Sequence, residues 1–435
     1  MQRDALGLAM GTLSGLARSG LTDRLGLRKT IESLTYHGTR TGFQTLGALN
    51  RPFRQVSKIK QAIRLSAPSS SVDRFDLTLT EEQQMIQDSV RRLAEKQLRP
   101  AAAEANETRE LPESLKADFQ ELGLNIYAVP ESLGGVASEN TLITQMVVAE
   151  ALGWGDMGLA VALLSPLSVA NTLTRWGTGE QQATYLPPFL DEHAPAAALA
   201  ICESRPLFDP MQLKTTATPS EVGYRLNGEK TLVPLCDQSE LFLVAAELHG
   251  KPRLFIVEAG HPGISVRLDG SMGLKAARLG TLRLTDVQLP ERALLGDGDF
   301  DYAEMIQLSR LAWCALAVGN ARAVLDYVIP YCNTRIAFGE PISHRQAVAF
   351  MIANLKIELD AMQIMTQRAV ALAEQGKPFI REASLAHILC AEKSMEIGTN
   401  GVQLLGGHGF TKEHPVERWY RDLRSVAFIT GGLHL

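Results

Sequence analysis

The strongest constraint on how this chain can fold is a change of hydrophobic period that happens twice. From Thr80 to about Pro195, apolar residues recur every three or four positions, in Met85 to Leu98, Leu115 to Leu122 and Leu142 to Leu152, with breaks at Pro130, Gly134-Gly135 and Gly153. That spacing predicts four to six helices. Leu79-Thr80-Glu81-Glu82-Gln83 reads as the cap and first turn of the first of them. From about Ala196 to Leu295 the pattern becomes short alternating runs, Tyr224 to Leu226, Leu241 to Val244, Leu254 to Val257 and Leu282 to Leu284, separated by Gly, Pro and Asp turns. Such runs predict a small antiparallel sheet or barrel. From Tyr302 onward, helical spacing returns in Met305 to Tyr331, Ser343 to Gln375 and Ser384 to Leu405. Helices, then a sheet, then long helices specify an α+β chain.

With 435 residues, of which 45% are hydrophobic, the chain suits two or three cores. A Pro/Ser-rich hinge at Ser66 to Ser71 and the two changes of texture divide it into an extension (1–75), a helical domain (76–195), a β domain (196–298) and a helical bundle domain (299–435). The net charge of -5 conceals an asymmetry, because residues 1–75 hold 12 Lys/Arg against 4 Asp/Glu. Leu6, Leu8, Leu13, Leu16, Leu21, Leu25 and Leu27 interleave there with Arg18, Arg24, Arg28 and Lys29. Three readings are open for this amphipathic segment: a docking helix pair, a cleavable transit peptide, or a membrane-surface anchor. No uncharged run in it has the length of a spanning helix. Five scattered cysteines without CxxC spacing argue against a zinc site or a disulfide framework and for a reducing compartment. The expected setting is cytoplasmic, membrane-peripheral if residues 1–75 bind a bilayer, or the mitochondrial matrix if they are a transit peptide. No metal and no nucleic-acid partner is expected.

The most improbable text is Gln403-Leu404-Leu405-Gly406-Gly407-His408-Gly409-Phe410, followed by Pro415-Val416-Glu417-Arg418-Trp419-Tyr420-Arg421-Asp422. Adjacent glycines after a helix let backbone N–H groups approach a phosphate. Arg335 offers a planar charged fork suited to pyrophosphate. Read together with Ala198 to Glu203 and Leu213 to Ala217, Leu226-Asn227-Gly228-Glu229-Lys230, Met272 to Ala277, Asp286 to Pro290, Arg335-Ile336-Ala337-Phe338-Gly339 and Gln346-Ala347, this motif resembles those of the acyl-CoA dehydrogenases. The resemblance spans about residues 78–435, in order. It implies an N-terminal helical domain, a middle β-barrel or sheet domain and a C-terminal four-helix bundle. It also implies FAD, an acyl-CoA substrate and electrons passed to an electron-transfer flavoprotein. By the same resemblance, Arg335, Phe338, Gln346, Gln403, Gly406 and Gly407 contact the diphosphate and adenosine of a FAD held by a neighbouring subunit, which implies a homodimer or tetramer, possibly a heteromer.

The reaction centre departs from that pattern. Where the family places a catalytic glutamate in Tyr-Glu-Gly-Thr, this chain reads Ile429-Thr430-Gly431-Gly432, and a hydroxyl has no accessible anion near neutral pH. The alternative position of that glutamate, just before an arginine, is Ser309-Arg310; Arg310 itself matches and implies a contact near the thioester or CoA. Cys202, Leu232-Val233-Pro234 and Gly431 stand where the family contacts or covers the flavin ring. Cys202 is a weak donor, and Pro234 has neither hydroxyl nor N–H. Glu304 and His434 are the remaining candidate bases. Two functions are therefore expected as alternatives: an α,β-dehydrogenase using an unrecognised base, or a catalytically degenerate subunit that lends FAD-phosphate contacts to a base-bearing partner.

Overall fold

The computed structural model describes residues 78–137, 141–191, 193–296 and 300–433. The readings placed on residues 1–75, and the candidate base His434, lie outside the described residues. Helix α1, Glu81–Leu93, opens on the expected cap: Gln83 N–H donates to Thr80 Oγ1 (3.1 Å), and Thr80 N–H donates to Gln83 Oε1 (3.0 Å). It passes through a π-turn, Ala94–Leu98, into α2, Arg99–Thr108, which stops where Arg109 turns left-handed. Short α3, Glu113–Glu121, precedes the two helices at the centre of this half, α4, Leu142–Gly155, and α5, Met157–Trp176. Asp156 separates them and caps α5, accepting from Leu159 N–H at 3.0 Å. Helix α6, Gly179–Tyr185, closes the segment with a second capping box, Thr178 and Gln181.

The β domain holds seven strands: β1, Ala197–Ala200; β2, Thr216–Ser220; β3, Gly223–Val233; β4, Leu241–Leu248; β5, Lys251–Glu258; β6, Ile264–Leu268; and β7, Gly280–Pro290. The order is β1-β4-β2-β3-β7-β6, with β5 on the far edge of β4. The antiparallel expectation needs a correction, since β1 and β2 both pair with β4 in parallel. β1 lies opposite Leu241–Val244 and β2 begins opposite Glu247, so the two follow one another along one edge of β4 in its own direction. Strands β1 and β4 are buried on both faces. One face packs Phe242, Val244, Phe255 and Leu282 within the β domain, and the other joins Leu199, Leu243 and Ile256 to the helical core. Ladder β3·β7 slips register between Lys230 and Val233, and this bulge leaves Leu232 at a φ of 55°.

The C-terminal half is built on α7, Tyr302–Thr334, followed by a tiny hairpin (β8, Ile336–Ala337; β9, Glu340–Pro341) and by α8, Gln346–Glu374, and α9, Ile380–Leu404. A 3-10 turn, Gly406–Phe410, leads to α10, Val416–Leu423, and a last 3-10 turn, Arg424–Ala427. Helices α5 and α7 are long and apolar enough to cross a membrane, but most of each is buried inside this fold, where they serve as core helices.

The seam between α4 and α7 is held by two glycines. A Cβ on Gly319 would lie 2.0 Å from the Glu150 carbonyl oxygen, and one on Gly153 would lie 2.6 Å from that of Leu316. Neither obstacle is a flexible side-chain end. Beside the seam, Arg322 bonds Glu150 at 3.1 Å, and the Trp154 indole N–H donates to Asp326 at 2.8 Å. Gly319→Ala must therefore separate two backbones. It is expected to lower the unfolding free energy by about 1–3 kcal/mol or more, as read by urea denaturation, while Ala at the open Gly376, whose added Cβ meets nothing within 4 Å although its φ is 64°, should cost less.

Candidate cofactor and active site

Two cavities, at different parts of the bundle, receive the residues singled out by the sequence. The first is an open groove of about 950 Å³ between the end of α7, the start of α8 and the turn after α9. Arg335, Phe338, Gln403, Gly406 and Gly407 line it. Gln346 does not; it is the exposed first residue of α8, and its neighbours Ala347 and Val348 reach the groove instead. The hairpin fixes Arg335, whose carbonyl accepts from Ile342 N–H at 2.9 Å, and its turn places Phe338 at a φ of 55°, almost wholly exposed. Gly406 has a φ of 58°, which favours glycine. A Cβ on Gly406 or Gly407 would meet no protein atom within 4 Å, so packing does not demand these glycines; the space they leave is the groove floor.

Sequence reasoning missed three groove residues. Arg345 lies across from Arg335, bonded to Glu340 at 3.0 Å and 5.8 Å from the Phe338 ring centre. Tyr331 and His408 also line it, joined hydroxyl to Nδ1 at 2.8 Å. The adjacency of Arg345 to Gln346 was the available signal for the first; for the other pair only the fold brings them together. Two guanidinium groups, a floor without side chains and a run of turn N–H groups fit a diphosphate.

The second cavity is a cleft of about 1070 Å³ between the β domain and the last turns of the chain. Cys202, Leu232 and Thr430 line it, together with Arg205, Arg421 and Arg424. Pro234 and Gly431 are buried and stand behind its wall. The two positions at which a glutamate was expected lie on segments that touch. Ser309 is fully buried on α7; one turn on, the Trp313 indole N–H donates to the Gly431 carbonyl at 3.1 Å, and a Cβ on Gly431 would sit 3.0 Å from Ile306. Thr430 Oγ1 is buried there with no protein partner. So is Arg310 Nε, whose guanidinium pKa is lowered by burial.

His387, on α9, was not foreseen. Its ring lies against the backbone of Val426 and Ile429, Nε2 is buried without a partner, and burial together with the Arg310 charge lowers its pKa to about 4. It is neutral at physiological pH. Glu304 is not poised as a base, because its carboxylate is bonded to Arg175 at 2.6 Å. The Cys202 thiol, beside the Thr430 backbone, is pushed up to about 11 by burial, which rules it out as a ready thiolate.

Glu203 is the one carboxylate among the described residues lining the cleft, and it is fully engaged. It accepts from Lys230 Nζ at 2.8 Å, from Lys214 N–H at 2.8 Å and from Thr215 N–H at 2.9 Å. Burial pushes its pKa up, but the Lys230 ammonium and these N–H donors more than reverse that and hold it below the usual carboxylate value. Lys230 is wholly buried, with its second bond to the Ile201 carbonyl at 3.2 Å. Burial lowers the Lys230 pKa to about 8, so the pair is charged at neutral pH; Lys230→Met would strand a buried carboxylate and is expected to lower stability by about 3–5 kcal/mol at pH 7. Without the ammonium, burial raises the folded-state pKa of Glu203 above its unfolded value, so protonation relieves the penalty. The loss should shrink as pH falls toward the carboxylate range, and a pH series of urea melts would read this.

Comparison with known proteins supplies the frame for both cavities. Three family profiles match in succession: acyl-CoA dehydrogenase N-terminal domain over residues 80–193, middle domain over 198–287 and C-terminal domain over 300–433. The mitochondrial short/branched chain specific acyl-CoA dehydrogenase of Rattus norvegicus is 30% identical over 357 residues, covering 80% of this chain and 82% of that one. Cyclohex-1-ene-1-carbonyl-CoA dehydrogenase of Geobacter metallireducens is 29% identical, covering 81% and 95%. Among solved structures, butyryl-CoA dehydrogenase from Megasphaera elsdenii superposes with a TM-score of 0.75 at 27% identity, covering 82% of this chain and 96% of that one.

Proposed function

Because the chain belongs to the acyl-CoA dehydrogenase family, whose members are FAD flavoproteins, we propose that it removes hydrogen across the Cα–Cβ bond of an acyl-CoA thioester and passes the electrons to an electron-transfer flavoprotein. The observation that carries this reading is the pairing of a cationic, glycine-floored groove with a separate cleft lined by Thr430, one of the two family base positions, while the other, Ser309, is buried on the helix packed behind it. In the groove, Arg335 and Arg345 would hold the FAD diphosphate, with Gly406 and Gly407 offering backbone N–H groups. When bound, the flavin supplies the hydride acceptor. In the cleft, the basic side chains Arg205 and Arg424 favour anionic cofactor and CoA groups, Arg421 being paired with Glu417, and the buried Thr430 hydroxyl is an unpaired donor at its wall. Arg310 lies behind this wall, where its charge also keeps His387 neutral.

Among the described residues, none lines both cavities. Trp313, whose indole reaches Gly431 behind the cleft wall, and Tyr331, which lines the groove, are about 27 Å apart along the axis of α7 at 1.5 Å per residue. This favours a site completed by a second copy, groove of one chain to cleft of another. Exposed Phe350, Ile357 and Ile364 form a stripe at seven-residue spacing on α8, and Phe338 and Phe410 are almost wholly exposed; a partner surface would cover such residues.

Among the described residues lining the cleft, no free carboxylate is placed to take the proton lost from Cα, since Glu203 is locked, and the candidate Glu304 is turned to Arg175. That observation supports a second reading, in which the chain is the base-deficient subunit of a heteromer and lends its groove to a base-bearing relative. Purified protein tested under anaerobic conditions separates the two. The enzyme reading expects one flavin per chain and bleaching by an acyl-CoA without a partner; a colourless chain that gains flavin only with a relative sinks it. Thr430→Glu would place a carboxylate in the cleft and should accelerate bleaching by about a hundred- to ten-thousand-fold.

A further inference from the structure

The groove contains a proton-accepting device that its diphosphate role alone does not require. Tyr331 Oη lies 3.2 Å from the Leu405 carbonyl oxygen and 2.8 Å from His408 Nδ1. A hydroxyl has a single hydrogen, and a carbonyl can only accept. Both contacts are hydrogen bonds together only if Tyr331 donates to Leu405 and His408 Nδ1–H donates to Tyr331. The neutral His408 ring then carries its hydrogen on Nδ1 and leaves a lone pair on Nε2, the nitrogen remaining for the groove it lines. A lone pair facing a phosphate oxygen is repulsive. Once Nε2 is protonated, it becomes a charge-assisted donor.

Arg335 at the end of α7 and Arg345 before α8 line the same groove, and a bound diphosphate would bring the counter-charge that they and a protonated ring would share. Glu340 on the hairpin is shared between Arg345 (3.0 Å) and His344 (3.5 Å). Beyond the turn, Lys412 is committed to Glu107 and Glu417 to Arg421, and α9 contributes the uncharged Gln403. His414 stacks on His408, with ring centres 5.2 Å apart and planes 17° from parallel, and its Nδ1 lies 2.7 Å from Tyr327 Oη. A neutral ring there offers its π face to an imidazolium, whereas two protonated rings would repel.

We propose that binding of a diphosphate in this groove is coupled to the uptake of one proton from solvent at His408 Nε2, with Tyr331 fixing the tautomer that makes the proton necessary. The inference rests on the groove being the diphosphate site. It is tested on the full chain freed of flavin, titrated calorimetrically with FAD at about pH 7.5 in PIPES, HEPES and Tris buffers, whose ionisation heats differ. The expected result is an apparent binding enthalpy that varies with buffer heat, with a slope approaching one proton, and a Kd that rises by up to about tenfold per pH unit above neutrality. His408→Asn should abolish both dependences, and Tyr331→Phe, which frees the neutral ring to present Nε2–H, should reduce both. Arg335→Ala should weaken binding tenfold or more at every pH. FAD binding that is sensitive to Arg335→Ala but shows no buffer dependence, or shows one that survives in His408→Asn, overturns the proposal while leaving the groove assignment intact. Binding indifferent to Arg335→Ala removes the groove assignment, and the proposal with it.

Discussion

Everything in this molecule is hung on the contact between α4 and α7, where two helices approach so closely that backbone carbonyls occupy the space of absent side chains. Gly319 faces the Glu150 carbonyl and Gly153 faces that of Leu316. Such an approach leaves little room for sliding, because close-packed interiors transmit displacement rather than absorb it. Helix α7 thus has one position relative to the N-terminal helices. Along its length it carries Trp313 against the Gly431 carbonyl behind the cleft, Asn320 against the Trp419 carbonyl of α10, and Tyr331 and Arg335 at the groove. The spacing between the two cavities follows from the rise of this one helix.

The polar interior is arranged on the same principle of over-determination. Glu203 has Lys230 and two backbone donors, and a second buried pair, Arg418 with Asp156 at 2.9 Å, joins the start of α5 to α10. Asp422 lies nearby, bonded by Leu274 N–H at 2.6 Å, its pKa raised to about 7 by burial and by the adjacent Asp156. Each pair crosses between segments far apart in sequence. Their value lies in register, since removing one partner strands the other in a medium that solvates charge poorly.

Much of the architecture was legible because it was periodic. The Thr80 cap, the helical runs before Pro195 and the three long helices after Tyr302 carry local signals that burial does not override. The strands were read unevenly. Strands β3, β4, β5 and β7 alternate or run apolar, whereas β1 is Ala197-Ala198-Leu199-Ala200, which has no strand propensity of its own and is defined by pairing with β4. Strand β6, Ile264-Ser265-Val266-Arg267-Leu268, does alternate but is short and largely exposed, and β2 is Thr, Ala, Pro and Ser. The parallel pairings are a property of where a loop returns, which spacing does not encode. In the site, Arg335 and the glycines could be read from their chemistry. Tyr331, His408 and His387 could not, because what matters for each is a neighbour dozens of residues away, and Arg345 offered only its adjacency to Gln346.

The two cavities share no lining residue among those described, and this has a consequence for how the chain can change. Substitutions at Thr430, Ser309 or Leu232 alter the chemistry side without touching an atom of the phosphate side. The two can accumulate changes as though they were separate genes under one roof. A lineage built on such a frame can lose its proton acceptor while its hold on a nucleotide stays intact, and can later acquire a new reaction, a new partner or a purely architectural post from the half that remained.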